Sequence, residues 1–288
     1  MFNSLGFRAA LISLLILFSL LTVWHFATLA PAAGPVKATT AQEDEYAKLL
    51  GKSATSSSET KITGFPTLMQ MGQAIVKHLS NPFYDNGPND KGIGIQLGHS
   101  LQRVGLGFLI AALVAIPLGF LLGMSPLMQR ALNPYIQILK PISPLAWMPL
   151  ALYTIKDSGI SGIFVIFICS IWPMLVNTAF GVASVRREWL DVARTLEVSA
   201  WRKAFIVILP AAAPTILTGM RISMGIAWLV IVAAEMLVGG TGIGYFVWNE
   251  WNNLSLTSVI FAVLLIGVVG MLLDLIFARL QKFVSYVD

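Results

Sequence analysis

Six apolar stretches of about twenty residues each decide what this chain can become. A bilayer core is crossed by helices of about that length, because only a backbone that satisfies its own hydrogen bonds survives where water is absent. The stretches fall at about 9–30, 101–123, 131–154, 161–183, 211–237 and 256–278. Charged residues make up only 11% of the 288, and the mean hydropathy is +0.77, against about 25% charge in a soluble domain. The expected fold class is all-α, a polytopic membrane bundle of about six transmembrane helices with an extracytoplasmic loop and an interfacial helix.

The first run follows Arg8, and "LAPAAG" after it offers small residues for signal cleavage. Its apolar stretch is longer than a usual signal core, so a retained first helix over 1–30 is expected. A polar region at 31–98 then reads as an extracytoplasmic loop. Its "TTAQEDEYAKLLGKSATSSSET" is rich in Ser, Thr and charge, and is expected to be flexible or loosely folded. In "PTLMQMGQAIVKHL", Leu68, Met71, Ile75 and Leu79 recur at helical spacing. That spacing predicts a helix from near Pro66 that lies on the membrane surface or against the bundle. "NPFYDNGPNDKGIG" is a turn-rich connector into a membrane core at 99–288.

Several function classes are disfavoured. The net charge of +5 is scattered between apolar blocks and forms no basic face, which argues against nucleic acid. One cysteine, Cys169, excludes a disulfide within the chain, and His25, His78 and His99 show no metal-ligand spacing. No HExxH or GxSxG pattern points to an intramembrane enzyme. "YAKLLGKS" has Tyr46 where a phosphate-binding loop needs its first glycine. An ion-gradient transporter would show matched broken helices in internal repeats, which are not seen.

Basic residues set the orientation. Arg8, Arg130 in a short loop at Gln129–Arg130, Arg186, Arg187, Arg194, Arg202, Lys203, Arg279 and Lys282 fall on one side. The short loop near 155–160 carries only Lys156, and 238–255 carries no Lys or Arg. The positive-inside rule therefore puts both termini, and the charged interruption at 184–210, in the cytoplasm.

Ionisable groups inside spans cost about 2.5–3.5 kcal/mol each on insertion scales and need a reason. Lys140 stands in the third span among Pro134, Pro141, Pro144 and Pro149, which predict a broken helix. Such a cation could serve an anion path, snorkel to a headgroup or pair with a carboxylate. Arg221 and Glu235 share the fifth span, about 21 Å apart along a straight helix, too far to pair. Glu235 could be a gate carboxylate or a partner for Lys140 or Arg103. Arg103 and Asp274 read first as interfacial, and Asn177 as bonding a neighbouring helix. The candidate substrate pathway is Lys140, Arg221, Glu235 and Arg103. "GGTGIGY" at 239–245 reads as a tight extracytoplasmic turn, with Trp248 and Trp251 at the interface.

In the interruption, Trp189, Ala193, Leu196 and Ala200 share one helical face, and Ser199 can cap a second short helix. On physics alone this helix–turn–helix either docks into a groove on a soluble partner or meets lipid headgroups. Its residues resemble the cytoplasmic loop of prokaryotic ABC importer permeases, whose pattern is E-A-A, three residues, Gly, nine residues, then I-x-L-P. Asp191-Val192-Ala193 stands at E-A-A and Val207-Ile208-Leu209-Pro210 at I-x-L-P, with the spacing kept. Glu197 occupies the Gly position, so it must either continue the helix or be held by neighbours.

The resemblance extends over about 100–288. "KPISPLAWMPLAL" and "GIAWLVIVAAEML" look like the subgroup importing nitrate, nitrite, cyanate, bicarbonate, sulfonates and taurine, nearest the cyanobacterial type of nitrate permease. It implies a non-catalytic subunit of a bacterial plasma membrane. That subunit would pair with a second permease, two ATPase subunits that hold the ATP and Mg, and an extracytoplasmic binding protein. It further implies that Asp191, Val192, Ala193, Arg194, Leu196, Glu197, Ser199, Leu209 and Pro210 couple to the ATPase. No cofactor is expected in this chain.

Overall fold

The computed structural model describes residues 5–28, 65–87 and 90–284. Much of the Ser- and Thr-rich loop, and the "YAKLLGKS" fragment, lie outside them. Among the described residues the secondary structure is helical, apart from one isolated bridge between Asp85 and Lys91 in the turn-rich connector. Among the described residues five helices are long and apolar enough to cross a membrane, and counting one bent pair as a single span brings the number to six.

The chain divides into two compact units. The first holds residues 1–77 with 255–261. Helix α1, Leu5–Thr28, is apolar on all sides and buries none of its described residues. The indole of Trp24 donates to the Pro66 carbonyl at 2.9 Å, and its ring meets Phe65 at 5.5 Å. Helix α2, Leu68–Ser80, begins where the periodicity predicts. Its buried positions are Met71 and Ala74, whereas Ile75 and Leu79 are exposed, so the inward stripe is narrower and rotated from the expected one.

The second unit, residues 78–254 with 262–288, is built on three helices. They are α3 (Ile93–Met124), α6 (Ser158–Ala183) and the membrane part of a long helical stretch, α9 (Leu209–Val238). Close approach follows from glycine. A Cβ on Gly119 would lie 2.6 Å from Thr178, and one on Gly123 would lie 2.6 Å from Val182. Gly219 of α9 meets Asn177 of α6 in the same way. Asn177 does not bond across helices, because its amide donates to the Pro173 carbonyl of its own helix at 2.8 Å.

Between α3 and α6 stand α4 (Pro126–Leu139) and α5 (Pro144–Ile155), bent by 91°. Only Ser125 separates α3 from α4, and its hydroxyl accepts the Met128 N–H. The loop expected at Gln129–Arg130 is therefore the opening of a helix. The four prolines place the break at 140–143: Pro141 lies within it and Pro144 starts the next helix. At the far end Asp157 caps α6 by accepting the Ile160 N–H at 2.7 Å.

The interruption folds as α7 (Arg187–Thr195), then α8 (Ala200–Arg202), then a π-helical turn at Lys203–Ile208 that runs straight into α9. Helix continues from Ala200 to Val238, so the fifth span starts earlier than expected. The wide turn has a local cause. Leu209 donates to the Ala204 carbonyl, five residues back, and Pro210 has no N–H with which to resume the α register. Helix α10 (Ile243–Asn252) replaces the simple turn expected after Glu235, and α11 (Leu256–Val284) closes the chain. Within the second unit, side chains fasten α11. Trp228 donates its indole N–H to the Ile266 carbonyl at 3.0 Å, and Phe108 meets Phe277 at 5.5 Å.

Candidate functional site

The charged interruption presents two faces. Inward, Ala193 is only 4% exposed, and Leu190 packs on a cluster of Val182, Val185, Ile208, Ala212 and Ile216. Outward, Trp189, Val192 and Leu196 stand exposed, Leu196 at 71%. The ridge expected from Trp189, Ala193, Leu196 and Ala200 is thus split: Ala193 anchors the helix and its neighbours face out. Asp191 and Arg194 pair at 3.3 Å on the exposed side. Ser199 occupies the capping position before Ala200, but its hydroxyl makes no capping bond. Its carbonyl accepts the Lys203 N–H at 2.9 Å.

Glu197 does not continue the helix. Its φ is 53°, in the left-handed region, and the backbone closes around it. The Val198 N–H donates to the Ala193 carbonyl and the Glu197 N–H to the Arg194 carbonyl, both at 3.0 Å. These are the two bonds of a Schellman ending, which normally places glycine where Glu197 stands. The turn geometry is kept despite the substitution.

Inside the membrane, four charged residues sort into two pairs. Arg103 donates to Glu235 at 2.8 Å and to the Thr241 carbonyl at 2.7 Å. Glu235 is 3% exposed on its side chain. It also accepts the Ser100 hydroxyl at 2.8 Å and the Gly244 N–H at 3.1 Å, while Ser100 Oγ accepts the Ile243 N–H at 2.9 Å. The carboxylate therefore caps the start of α10, where unpaired N–H groups favour negative charge. Only glycine fits the wrap: a Cβ on Gly242 would lie 2.2 Å from the Glu235 carboxyl, and one on Gly244 would lie 2.1 Å from the Val232 carbonyl.

Arg221 holds Asp274 by two parallel bonds of 2.5 Å, Nε to Oδ1 and Nη2 to Oδ2. This places Asp274 in an ion pair between α9 and α11 rather than alone at an interface. Lys140 closes α4 at the break and is exposed, with no ion-pair partner among the described residues. It is not joined to Glu235.

The sequence reading missed Ser100 and Gly244 as partners of Glu235, Thr241 as a partner of Arg103, and Gly242 as the close neighbour of the carboxyl. The available signal was two glycines, seven and nine residues after an intramembrane acid.

Residues 115–286 match the family described as binding-protein-dependent transport system inner membrane component. The chain belongs to that family. It is 45% identical over 222 residues to the nitrate import permease protein NrtB of Synechocystis sp., covering 77% of this chain and 81% of that one. It is 47% identical to the NrtB of Leptolyngbya laminosa, covering 67% and 70%. The bicarbonate transport system permease protein CmpB of Synechocystis sp. is 43% identical, covering 72% and 74%. Among solved structures, inward-facing MetNI methionine ABC transporter matches with a TM-score of 0.59 at 14% identity, over 66% of this chain and 94% of that one. That likeness supports the fold of an ABC importer permease.

Proposed function

We propose that this permease is the membrane-spanning subunit of an ATP-driven importer of nitrate and nitrite. It forms the anion pathway and transmits force from ATPase subunits. Identity of 45% and 47% to two NrtB permeases, over most of both chains, carries the reading. In this account two copies pair as a homodimer in the bacterial plasma membrane, with both termini cytoplasmic by the placement of Arg and Lys. Two ATPase subunits, which hold the ATP and Mg, grip α7 through Trp189, Val192 and Leu196. An extracytoplasmic binding protein delivers the anion. ATP-driven closure moves α7, and its anchorage through Leu190 and Ala193 passes that motion to α9. No cofactor is required in this chain itself.

Bicarbonate is the second reading, favoured by the 43% identity to CmpB; cyanate and sulfonates belong to the same wider set of anions. A strain lacking this chain should lose uptake of tracer nitrate from dilute medium and keep that of bicarbonate. The reverse pattern would move the assignment to bicarbonate, and uptake that survives ATP depletion would point to an ion gradient instead.

A further inference from the structure

Helix α4 carries a pattern that none of the pairings above explains. Arg130, Asn133, Gln137 and Lys140 follow at steps of three, four and three, which places them within a strip about 80° wide. All four are exposed, and α4 buries none of its residues against the chain. Leu132, Tyr135 and Leu139 occupy the opposite side. A polar face on a spanning segment needs water or protein to meet it.

Depth separates a spanning segment from a helix lying on the membrane surface. Helix α5 has 12 residues, about 18 Å, and connects through Lys156 and Asp157 to the start of α6. A hydrocarbon core is about 30 Å thick, so α5 alone cannot cross it. The 14 residues of α4 must supply the remaining depth, which puts the 91° knee, and Lys140 on it, inside the core. At that depth an unpaired ammonium facing lipid is costly. Farther from the span ends, Arg103 is neutralised by Glu235 and Arg221 by Asp274. Lys140 has no such partner among the described residues.

We propose that the polar face of α4 lines the water-filled path of a small anion, with Lys140 at the knee as its binding station inside the membrane. Asn133 and Gln137 supply amide donors along the way, and Arg130, about 15 Å from Lys140, draws the anion to the cytoplasmic end. The second permease subunit closes the other side of the path. This deepens the anion-importer reading and rests on it for direction. It also narrows the pathway candidates: Arg103, Glu235 and Arg221 fasten helices, and Lys140 meets the anion.

The test uses the complete transporter in membranes, in a Cys169→Ser background. Asn133→Cys and Gln137→Cys should react with an anionic, membrane-impermeant thiosulfonate, and Leu132→Cys and Tyr135→Cys should not. At Gln137→Cys, adding Lys140→Gln should cut the rate of the anionic reagent at least tenfold relative to a cationic one, and Lys140→Arg should restore it. Lys140→Gln in the unmodified transporter should lower anion uptake at least tenfold with ATPase assembly intact. Equal labelling at all four positions, or a reagent preference indifferent to Lys140, would overturn the proposal. Labelling does not depend on which anion is carried. The expected labelling in a transporter that takes up bicarbonate and no nitrate would uphold the path and refute the nitrate reading.

Discussion

Arg221 and Asp274 join α9 to α11 through two parallel hydrogen bonds of 2.5 Å. Within the second unit the pair adds to the Trp228–Ile266 and Phe108–Phe277 contacts that fasten α11. Gln281 adds one more bond nearby, its amide donating to the Thr218 hydroxyl at 2.9 Å. Arg221→Ala or Asp274→Ala strands a charge in the span. Each should lower the Tm of the purified complex. The double variant Arg221→Ala with Asp274→Ala should lose less than either alone, and the exchanged pair, Arg221→Asp with Asp274→Arg, should recover most of the loss. Additive losses would show that the pair does not act as a unit.

Glu235 is the buried counterpart at the other end of α9. Glu235→Ala removes the acceptor of Arg103, Ser100 and the Gly244 N–H at once. Breaking a buried pair from one side costs about 3–5 kcal/mol, and a fall in Tm and in membrane-inserted yield would report it. Gly244→Ala should be comparably damaging, since its Cβ meets the Val232 backbone. Ala at Gly242 meets the side-chain carboxyl of Glu235 and should displace it.

At the end of α7, Glu197 holds a left-handed conformation that costs a residue with a Cβ about 1–2 kcal/mol. Glu197→Gly should therefore slow amide exchange of the Val198 and Glu197 N–H groups by about tenfold, without changing the fold. Unchanged exchange would mean that the glutamate is held there by contacts made only in the assembled transporter.

The outward face of α7 predicts separable defects. Val192→Asp and Leu196→Asp place charge on exposed apolar positions and should abolish co-purification of ATPase subunits while leaving the permease inserted and stable. Ala193→Arg instead forces a charge into a site that is 4% exposed, and should lower the yield of the permease itself. Retention of the ATPase by both aspartate variants would remove α7 from the docking surface.

Much of this was legible because membrane helices are written in length and hydropathy. The spans, the proline break around Lys140 and the positions of Asp191, Ala193 and Pro210 all follow from spacing along the chain. Contacts between distant segments were legible only as alternatives, Arg103 standing beside Lys140 as a candidate partner for Glu235. That Arg103 chooses Glu235 and Arg221 chooses Asp274 depends on which helix faces turn together, and a residue's own helix carries no record of this. Helix α10 was missed because its wrap around a carboxylate depends on Gly242 and Gly244, which in sequence alone read only as a turn. The polar strip on α4 was present in the sequence, but Gln129 and Arg130 were assigned to a loop, which cut the strip in two.

The central claim is that this chain carries nitrate under the control of ATP. The complete transporter, purified with its ATPase subunits and reconstituted with ATP enclosed beside them, should accumulate tracer nitrate when the binding protein is added on the opposite side. Accumulation should stop without ATP and persist in excess bicarbonate. Accumulation of bicarbonate with none of nitrate, or nitrate entry that does not need ATP, would contradict it.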